Sequence, residues 1–400
     1  MPPRVDSAPR EVGRRDWIGP AFALFVVGVG TNQYTPLLSI YREQHGLGEA
    51  AVTGIFSVYV LGLIPMLFVA GRISDRNGRR AVMIPVLAAS LLSTFVMIAG
   101  VAGPFWLVLG RLLTGVATGA VFGAGSAWVR ELSVHDPPGT GARRAAIALS
   151  GGFGFGALVA GLIGAFAPYP MITPYLFHVL ITIIAIPMVL RAPDVYVPNP
   201  DPGRTPLVPR RAFRRRFALG VAPWAWLVFG VAGLVFTTLP RIVAQDLGDY
   251  PSAIAGVSAG VALAAGILIQ PAARRLADSG KPWRVPASGL LAAAISYLCG
   301  AGLTLVADVP GALLLMFGVA VLIGVAYGTI LVGGLVEVEM QAGPYDLAGM
   351  VAMFYVLAYL GFAVPYLLTL LADFGGLALW LLVLAAVALA LVPLVRRELQ

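Results

Sequence analysis

Twelve apolar stretches, each long enough to cross a hydrocarbon core, divide this 400-residue chain. A crossing helix needs roughly 20 predominantly apolar residues. Such stretches run over about 16–40, 51–70, 81–101, 104–129, 145–166, 172–190, 217–239, 252–271, 285–306, 310–336, 347–371 and 375–395. The composition agrees, with 59% hydrophobic and 12% charged residues, about half the charged share of an average soluble domain. So few polar side chains cannot cover such a mass of apolar ones from water. The chain is therefore expected to be an all-α integral membrane protein. The third, ninth and eleventh connections are very short and make their helices antiparallel neighbours. The longest connection, 191–216, is rich in proline and arginine and parts six spans from six. The expected organisation is an N-terminal arm over 1–15, a six-helix bundle over 16–190, a linker over 191–216, a second bundle over 217–395, and a terminal 396–400.

The bases set the orientation. The net charge is +8, and 24 of the 27 Lys and Arg fall on the side that holds both termini. Only Arg42 and Arg241 fall on the other side, and Arg111 lies inside a span. Positive charge marks the cytoplasmic face, so both termini are expected there, in a cell-membrane protein passing the bilayer many times. Short basic clusters between apolar stretches suit anionic lipid, not nucleic acid. No cleavage site follows the first apolar stretch, which reads as a span and not as a removed signal. The single cysteine, Cys299, leaves no disulfide framework and no cysteine-based metal site, and no cofactor or metal is expected.

The two halves share landmarks. "TPLLSIYREQ" closes the first span and "LPRIVAQD" the seventh, which sets Pro36 against Pro240, 204 residues on. "GRISDRNGRR" recurs in degraded form as "RRLADSGKPWR", setting Asp75 against Asp278, 203 residues on. A paired offset this close points to duplicated halves, a construction common among transporters.

On these features the chain resembles the major facilitator superfamily. The family's signature between its second and third helices, G-x-x-x-D-R-x-G-R-R/K, is met at every fixed position by Gly71, Asp75, Arg76, Gly78, Arg79 and Arg80. Its fourth-helix signature, R-x-x-x-G-x-x-x-G, is met by Arg111, Gly115 and Gly119. A glycine-rich stretch resembling that of the export branches runs through "GGFGFGALVAG", but Ala157 stands where those branches carry a proline. The resemblance implies two pseudo-symmetric six-helix bundles that rock around a central site. It also implies that Asp75 latches against the start of the eleventh helix, near Leu347, to close the cytoplasmic side.

Physical reasoning on the residues extends this. Positive-inside sorting needs no acid, so Asp75 among arginines is informative; a carboxylate there can serve a helix N-terminus, where the dipole favours negative charge. Arg76 is expected to pair with Glu131 at the end of the fourth span, and Arg275 with Asp278 in a weaker counterpart. Gly71 and Gly78 allow close approach and positive φ. Arg111 lies roughly 10 Å deep at ~1.5 Å per residue. It either meets substrate, water or a partner, the resemblance implying proton transfer or helix coupling, or it snorkels to the outer interface. Gly115, Gly119, Gly152, Gly156 and Gly161 read as packing positions that bring backbones together.

Substrate or coupling candidates are Asn32 and Tyr34, together with Arg111, His178, Trp224, Tyr327, Tyr355 and Tyr359. His178 reads either as a satisfied interior histidine or as a proton relay. Glu337 reads either as a gate partner of an arginine or as a solvated acid. No acid falls near the middle of a span, whereas proton-coupled carriers usually hold one whose pKa desolvation raises. Protons thus stay a candidate coupling ion only, and an anionic solute drawn to Arg111 is an alternative substrate.

No Walker-type, H-E-x-x-H or other catalytic signature is present. The expected function is non-enzymatic: secondary transport of a small organic solute by a monomer, with export of drug-like or amphipathic compounds first. Uptake of a nutrient or metabolite is second, and a non-transporting membrane sensor a remote third.

Overall fold

The structure, a computed structural model, describes residues 12–137, 139–195, 208–244, 248–343 and 347–400. Arg4, Arg10 and residues 196–207 of the linker, Arg204 among them, lie outside the described residues. Helix α1 (Ile18–Asn32) continues through a 3-10 turn (Thr35–Leu37) into Leu38–His45. Then follow α2 (Glu49–Asn77), α3 (Arg79–Ile98), α4 (Pro104–Glu131), α5 (Thr140–Phe166) and α6 (Thr173–Arg191). The second half comprises α7 (Arg215–Ile242), α8 (Pro251–Ala277), α9 (Arg284–Leu305) and α10 (Ala312–Gln341). It ends with α11 (Leu347–Leu360, carried on through Gly361–Ala363 and Val364–Leu371) and α12 (Gly376–Leu399). No strand occurs among the described residues.

Eleven of these helices are long and apolar enough to cross a membrane among the described residues; α1 does so only with its continuation. The break follows from Pro36, which has no N–H to give the carbonyl four residues back. Thr35 Oγ1 replaces it, donating to Asn32 O at 2.7 Å. Several helices outrun their apolar stretches. α2 carries on to Asn77, and the turn into α3 falls on Gly78, whose φ of +94° suits a residue without Cβ.

Small residues build both bundles by the same device. A Cβ on Gly115 would sit 1.9 Å from Tyr59 O, and one on Gly119 2.3 Å from Leu63 O, so α4 lies backbone to backbone on α2. In the second half, Gly324 and Gly328 of α10 meet Ala262 O and Gly266 O of α8 at 2.0 and 2.2 Å in the same sense. Gly152 and Gly156 bring α5 against the carbonyls of Phe25 and Val29 on α1. The result is two six-helix bundles, α1–α6 and α7–α12, built on one plan.

The bundles meet along α5–α8 and α2–α11. Gly161 lies against Ser252 O and Gly256 against Ala157 O. Ser57 Oγ donates to Phe362 O at 2.9 Å. The start of α1 and the end of α12 lie at one end of the molecule, the terminal face; the short α3–α4, α9–α10 and α11–α12 connections lie at the other, the far face. Phe166 and Tyr250 meet across the far end at 5.1 Å, and Phe122 and Tyr355 deeper in at 4.9 Å.

Candidate functional site

Three polar or aromatic assemblies sit along the bundle axis. The first is the basic cluster at the terminal face. Arg79 begins α3, and its guanidinium turns inward until its side chain is 12% exposed. It reaches Glu131 Oε1 from Nη2 at 2.7 Å, and from Nε it donates to Oε1 and Oε2 at 3.0 and 3.2 Å. Nη1 meets Asp75 Oδ1 at 2.5 Å and Ser74 Oγ at 2.9 Å. One arginine thus ties the end of α2 to the end of α4. The expected partner of Glu131 was Arg76, and the structure corrects this. α2 remains helical to Asn77 and turns Arg76 outward, where it is exposed, while the Gly78 turn points Arg79 in.

The helix N-terminus served by a carboxylate here is that of α3, and the carboxylate is Asp194. Its Oδ1 and Oδ2 accept from the backbone N–H of Arg79 and Arg80 at 3.3 and 3.1 Å, where the dipole favours an anion. Trp128 Nε1 donates to Pro193 O at 2.9 Å and Arg80 Nη2 to Ala192 O at 2.5 Å, so the start of the linker is pinned beneath the cluster. Asp194 and Trp128 were not singled out from sequence. An acid four residues past the last apolar residue of a span was the only signal. Gly71 sits in helical backbone and lets Gly123 of α4 approach, a Cβ there lying 3.4 Å from Gly71 Cα. The start of α11 near Leu347, against which the Asp75 latch was expected to close, directly follows residues 344–346, which lie outside the described residues.

The second half carries a different clamp. Arg275 and Asp278 are both exposed and form no ion pair among the described residues, so the expected counterpart latch is absent. Arg275 lies on the exposed side of the last turn of α8, and Asp278 begins the exposed turn that follows. Glu337, 206 residues beyond Glu131, is instead fully buried and takes Arg216 Nη2 at 3.4 Å and Gln341 Nε2 at 3.2 Å. Arg215 forks onto Glu398 of α12 at 2.9 and 3.1 Å. Arg211 adds a bond to Gln341 O at 3.2 Å. The last residues of the linker and the first turn of α7 therefore do in this half what the loop motif does in the other.

The second assembly surrounds Arg111. Its side chain is 1% exposed and points inward, which excludes snorkelling. Nη1 donates to Thr31 O and Nη2 to Phe56 O, both at 2.9 Å. The guanidinium lies over the rings of Tyr59, Tyr34 and Phe56 at 4.4, 5.0 and 5.6 Å. No carboxylate balances the charge within this contact set; carbonyl dipoles and ring faces do so instead. Tyr34 stacks on Tyr41 at 5.1 Å, and the hydroxyls of Tyr41 and Tyr175 share a short hydrogen bond. Arg111 thus locks α4 to α1 and α2 at one point.

The third assembly is the space between the bundles. A cavity of about 10 Å³, room for about one water, lies at their interface. The first bundle gives it Thr31, Asn32, Tyr59 and Phe153. The second gives Phe229, Phe236, Tyr327, Tyr359 and Phe362 among others. Phe229 stacks on Tyr359 and Phe362 at 4.3 and 4.8 Å, and Tyr59 meets Tyr359 and Phe362 edge-on at 6.1 and 5.5 Å. Rings from both bundles have closed upon each other here. The Tyr359 hydroxyl is buried with no hydrogen-bond partner among the described residues. Tyr355, one turn from Tyr359, stands at the terminal side of this stack against Phe122.

Of the sequence candidates, Asn32, Tyr327 and Tyr359 come together in the cavity wall, and Tyr355 borders it. Arg111 and Tyr34 lie one layer behind, screened by Tyr59 and Thr31. Two candidates belong elsewhere. His178 is buried within the first bundle; its Nε2 meets Val26 O at 3.1 Å and its Nδ1 Thr94 Oγ1 at 2.7 Å. Both ring nitrogens are satisfied in packing between α1, α3 and α6. Trp224 gives its Nε1–H to Gly220 O and packs on Phe354 at 6.4 Å, filling the gap between α7 and α11. Phe229, Phe362 and Tyr59 were missed, because single aromatics in apolar helices carry no mark of which face they take.

Comparison with known proteins follows the same lines. The profile of the Major Facilitator Superfamily matches residues 21–364. An uncharacterized MFS-type transporter of Bacillus subtilis, YceJ, is 35% identical over 99 residues, 24% of this chain and 25% of that protein. The multidrug resistance protein MdtL of Klebsiella pneumoniae is 32% identical over 102 residues, 26% of each; the chain thus matches about a quarter of the length of these relatives. Among solved structures, the nucleoside transporter NupG superposes with a TM-score of 0.75 at 15% identity, covering 96% of this chain and all of that one. A POT family transporter in complex with 5-aminolevulinic acid gives 0.77 at 13% identity, covering 96% of each. At such identities the likeness is one of fold. With the family profile spanning most of its length, two like six-helix bundles and a cavity between them, the chain belongs to the Major Facilitator Superfamily.

Proposed function

We propose that this transporter exports flat aromatic or amphipathic solutes across the cell membrane by alternating access, with its terminal face in the cytoplasm. One observation carries the substrate class: the cavity wall is built of stacked rings from both bundles and offers only Thr31, Asn32 and tyrosine hydroxyls as polar groups. Such a wall favours solutes that stack and make one or two hydrogen bonds. It holds no basic group for an anion, since Arg111 is spent on Thr31 O and Phe56 O. The resemblance of a quarter of the chain to a multidrug resistance protein supports the direction.

Alternating access follows from the construction. The bundles are separate packing units that meet along glycine-lined seams and stacked rings. A solute entering the ring stack replaces ring–ring contacts with ring–solute contacts, so the bundles can part on one face while meeting on the other. The Arg79 fork keeps α2, α3 and α4 a rigid unit as this happens. Purified protein in sealed vesicles should move planar aromatic amphiphiles faster than empty vesicles do. Small carboxylates and sugars should show no flux above background. The same assay with and without an imposed pH gradient establishes coupling. Saturable carboxylate transport with no transport of aromatic compounds would replace this reading with uptake of an anionic metabolite.

A further inference from the structure

Behind the cavity wall, on the outer side of the α7–α11 contact, lies a second cavity of about 360 Å³, within the range of small-molecule sites at ~300–1,000 Å³. α7 contributes Trp226, α11 contributes Leu360, Ala363 and Leu367, and α12 contributes Trp380 and Val383. Every lining side chain is apolar apart from the indole nitrogens. Those are already spent: Trp226 Nε1 donates to Pro223 O at 2.8 Å and Trp380 Nε1 to Phe374 O at 3.2 Å. A polar occupant would give up its hydration and find no partner.

Two features say what fills the groove. Its rim opens sideways, with Leu360, Leu367 and Val383 at 50%, 48% and 39% exposure. Its outer wall is α12, of which only 22% of the crossing window is buried inside the protein, against 78% for α7. The groove therefore faces the hydrocarbon of the bilayer at crossing depth. Its floor includes irregular backbone: the 3-10 turn Gly361–Ala363 interrupts α11 where that helix meets α7, and Ala363 lines the groove. Gly361 lies so close to α7 that a Cβ would sit 2.0 Å from Trp226 O. The partition is one contact thick, for Phe362 faces the central cavity and Ala363 and Val364 face the groove.

We propose that this groove is a binding site for one acyl chain of a bilayer phospholipid, laid against the α7–α11 seam behind the central cavity. The site is independent of which solute the cavity carries. The chain fills a gap that α7, α11 and α12 leave open, and it supports the seam at the irregular turn of α11.

Photolabelling with a phosphatidylcholine bearing a diazirine on its acyl chain tests this in vesicles of the full-length protein. Adducts should concentrate on 357–371 and 380–384. Ala363→Phe and Val383→Phe, which push a ring into the groove, should each lower that yield several-fold. Leu291→Phe on α9, at a site 44% exposed, should leave it unchanged. The unfolding temperature of each variant, read in parallel, shows which are folded; should one fail, the other variant and the wild-type map carry the test. Adducts spread evenly over all exposed spans, or an undiminished groove yield in a folded filled variant, would overturn the proposal and leave only annular lipid.

Discussion

Arg79 and Glu131, 52 residues apart, are joined by a forked contact with its shortest arm at 2.7 Å, while Arg79 also holds Asp75. Three helix ends meet on one guanidinium that is mostly withdrawn from water. The neighbouring Arg76, in the same motif, stands outside it. The basic cluster thus holds one arginine that binds helices, Arg79, beside Arg76, which faces solvent, and Arg80, which bonds the start of the linker.

Arg79→Ala should therefore lower stability by about 1–3 kcal/mol, the range for hydrogen bonds to charged groups. Arg76→Ala should stay within about 0.5 kcal/mol, as surface changes do. Thermal unfolding of the two purified variants in one detergent checks the contrast. A larger loss for Arg76→Ala would assign the fork to the wrong residue.

Arg111 calls for a different pair of substitutions. Arg111→Met keeps the length and the ring contacts but gives up the charge, and the desolvation cost of that buried ion offsets part of what its bonds contribute. It removes both bonds that tie α4 to α1 and α2. Unfolding temperature should be held within a few degrees while flux falls by tenfold or more. Arg111→Lys should also lose flux, because one ammonium cannot span two diverging carbonyls as the planar fork does. Normal flux in Arg111→Met would reduce this residue to packing.

Much of this arrangement is legible in the chain itself. Twelve apolar stretches and the paired offsets of Pro36 and Asp75 give the helices, their number and the two halves. Small residues four apart, such as Gly115 and Gly119, mark α2–α4 contact. What stays hidden is set by rotation and by distant partners. Hydropathy ends the second span near residue 70, yet the helix runs on to Asn77, and that extra length turns Arg76 away from Glu131. Glu337 and Asp278 look alike as acids at the ends of apolar stretches, yet one is buried against α7 and the other exposed. Nothing local to Phe229 or Phe362 says that they face the cavity, because the choice is made by helices more than a hundred residues away in sequence.

The helix-packing glycines should tolerate no side chain. Gly119→Val places a branched carbon where Leu63 O already stands; overpacking of this kind costs about 1–3 kcal/mol or more. Gly302→Ala, where nothing lies within 4 Å of the added carbon, should be silent. Comparing monodisperse yield by gel filtration distinguishes the two. Equal yields would contradict close α2–α4 packing.

His178 should prove structural. His178→Phe removes bonds to Val26 O and Thr94 and should lower stability by roughly 1–3 kcal/mol. The pH profile of flux by the protein that remains folded should keep its shape. A profile flattened by the substitution would return His178 to the coupling path.

Distances between spin labels on opposite bundles test the rocking of the halves. In a Cys299→Ala background, Tyr169→Cys with Asp308→Cys labels the far face, and Asn77→Cys with Ser279→Cys labels the terminal face. All four sites are exposed. Adding a transported aromatic compound should lengthen one distance and shorten the other in the same sample. Distances that stay fixed on both faces, or change together in the same direction, would contradict alternating access around the aromatic cavity.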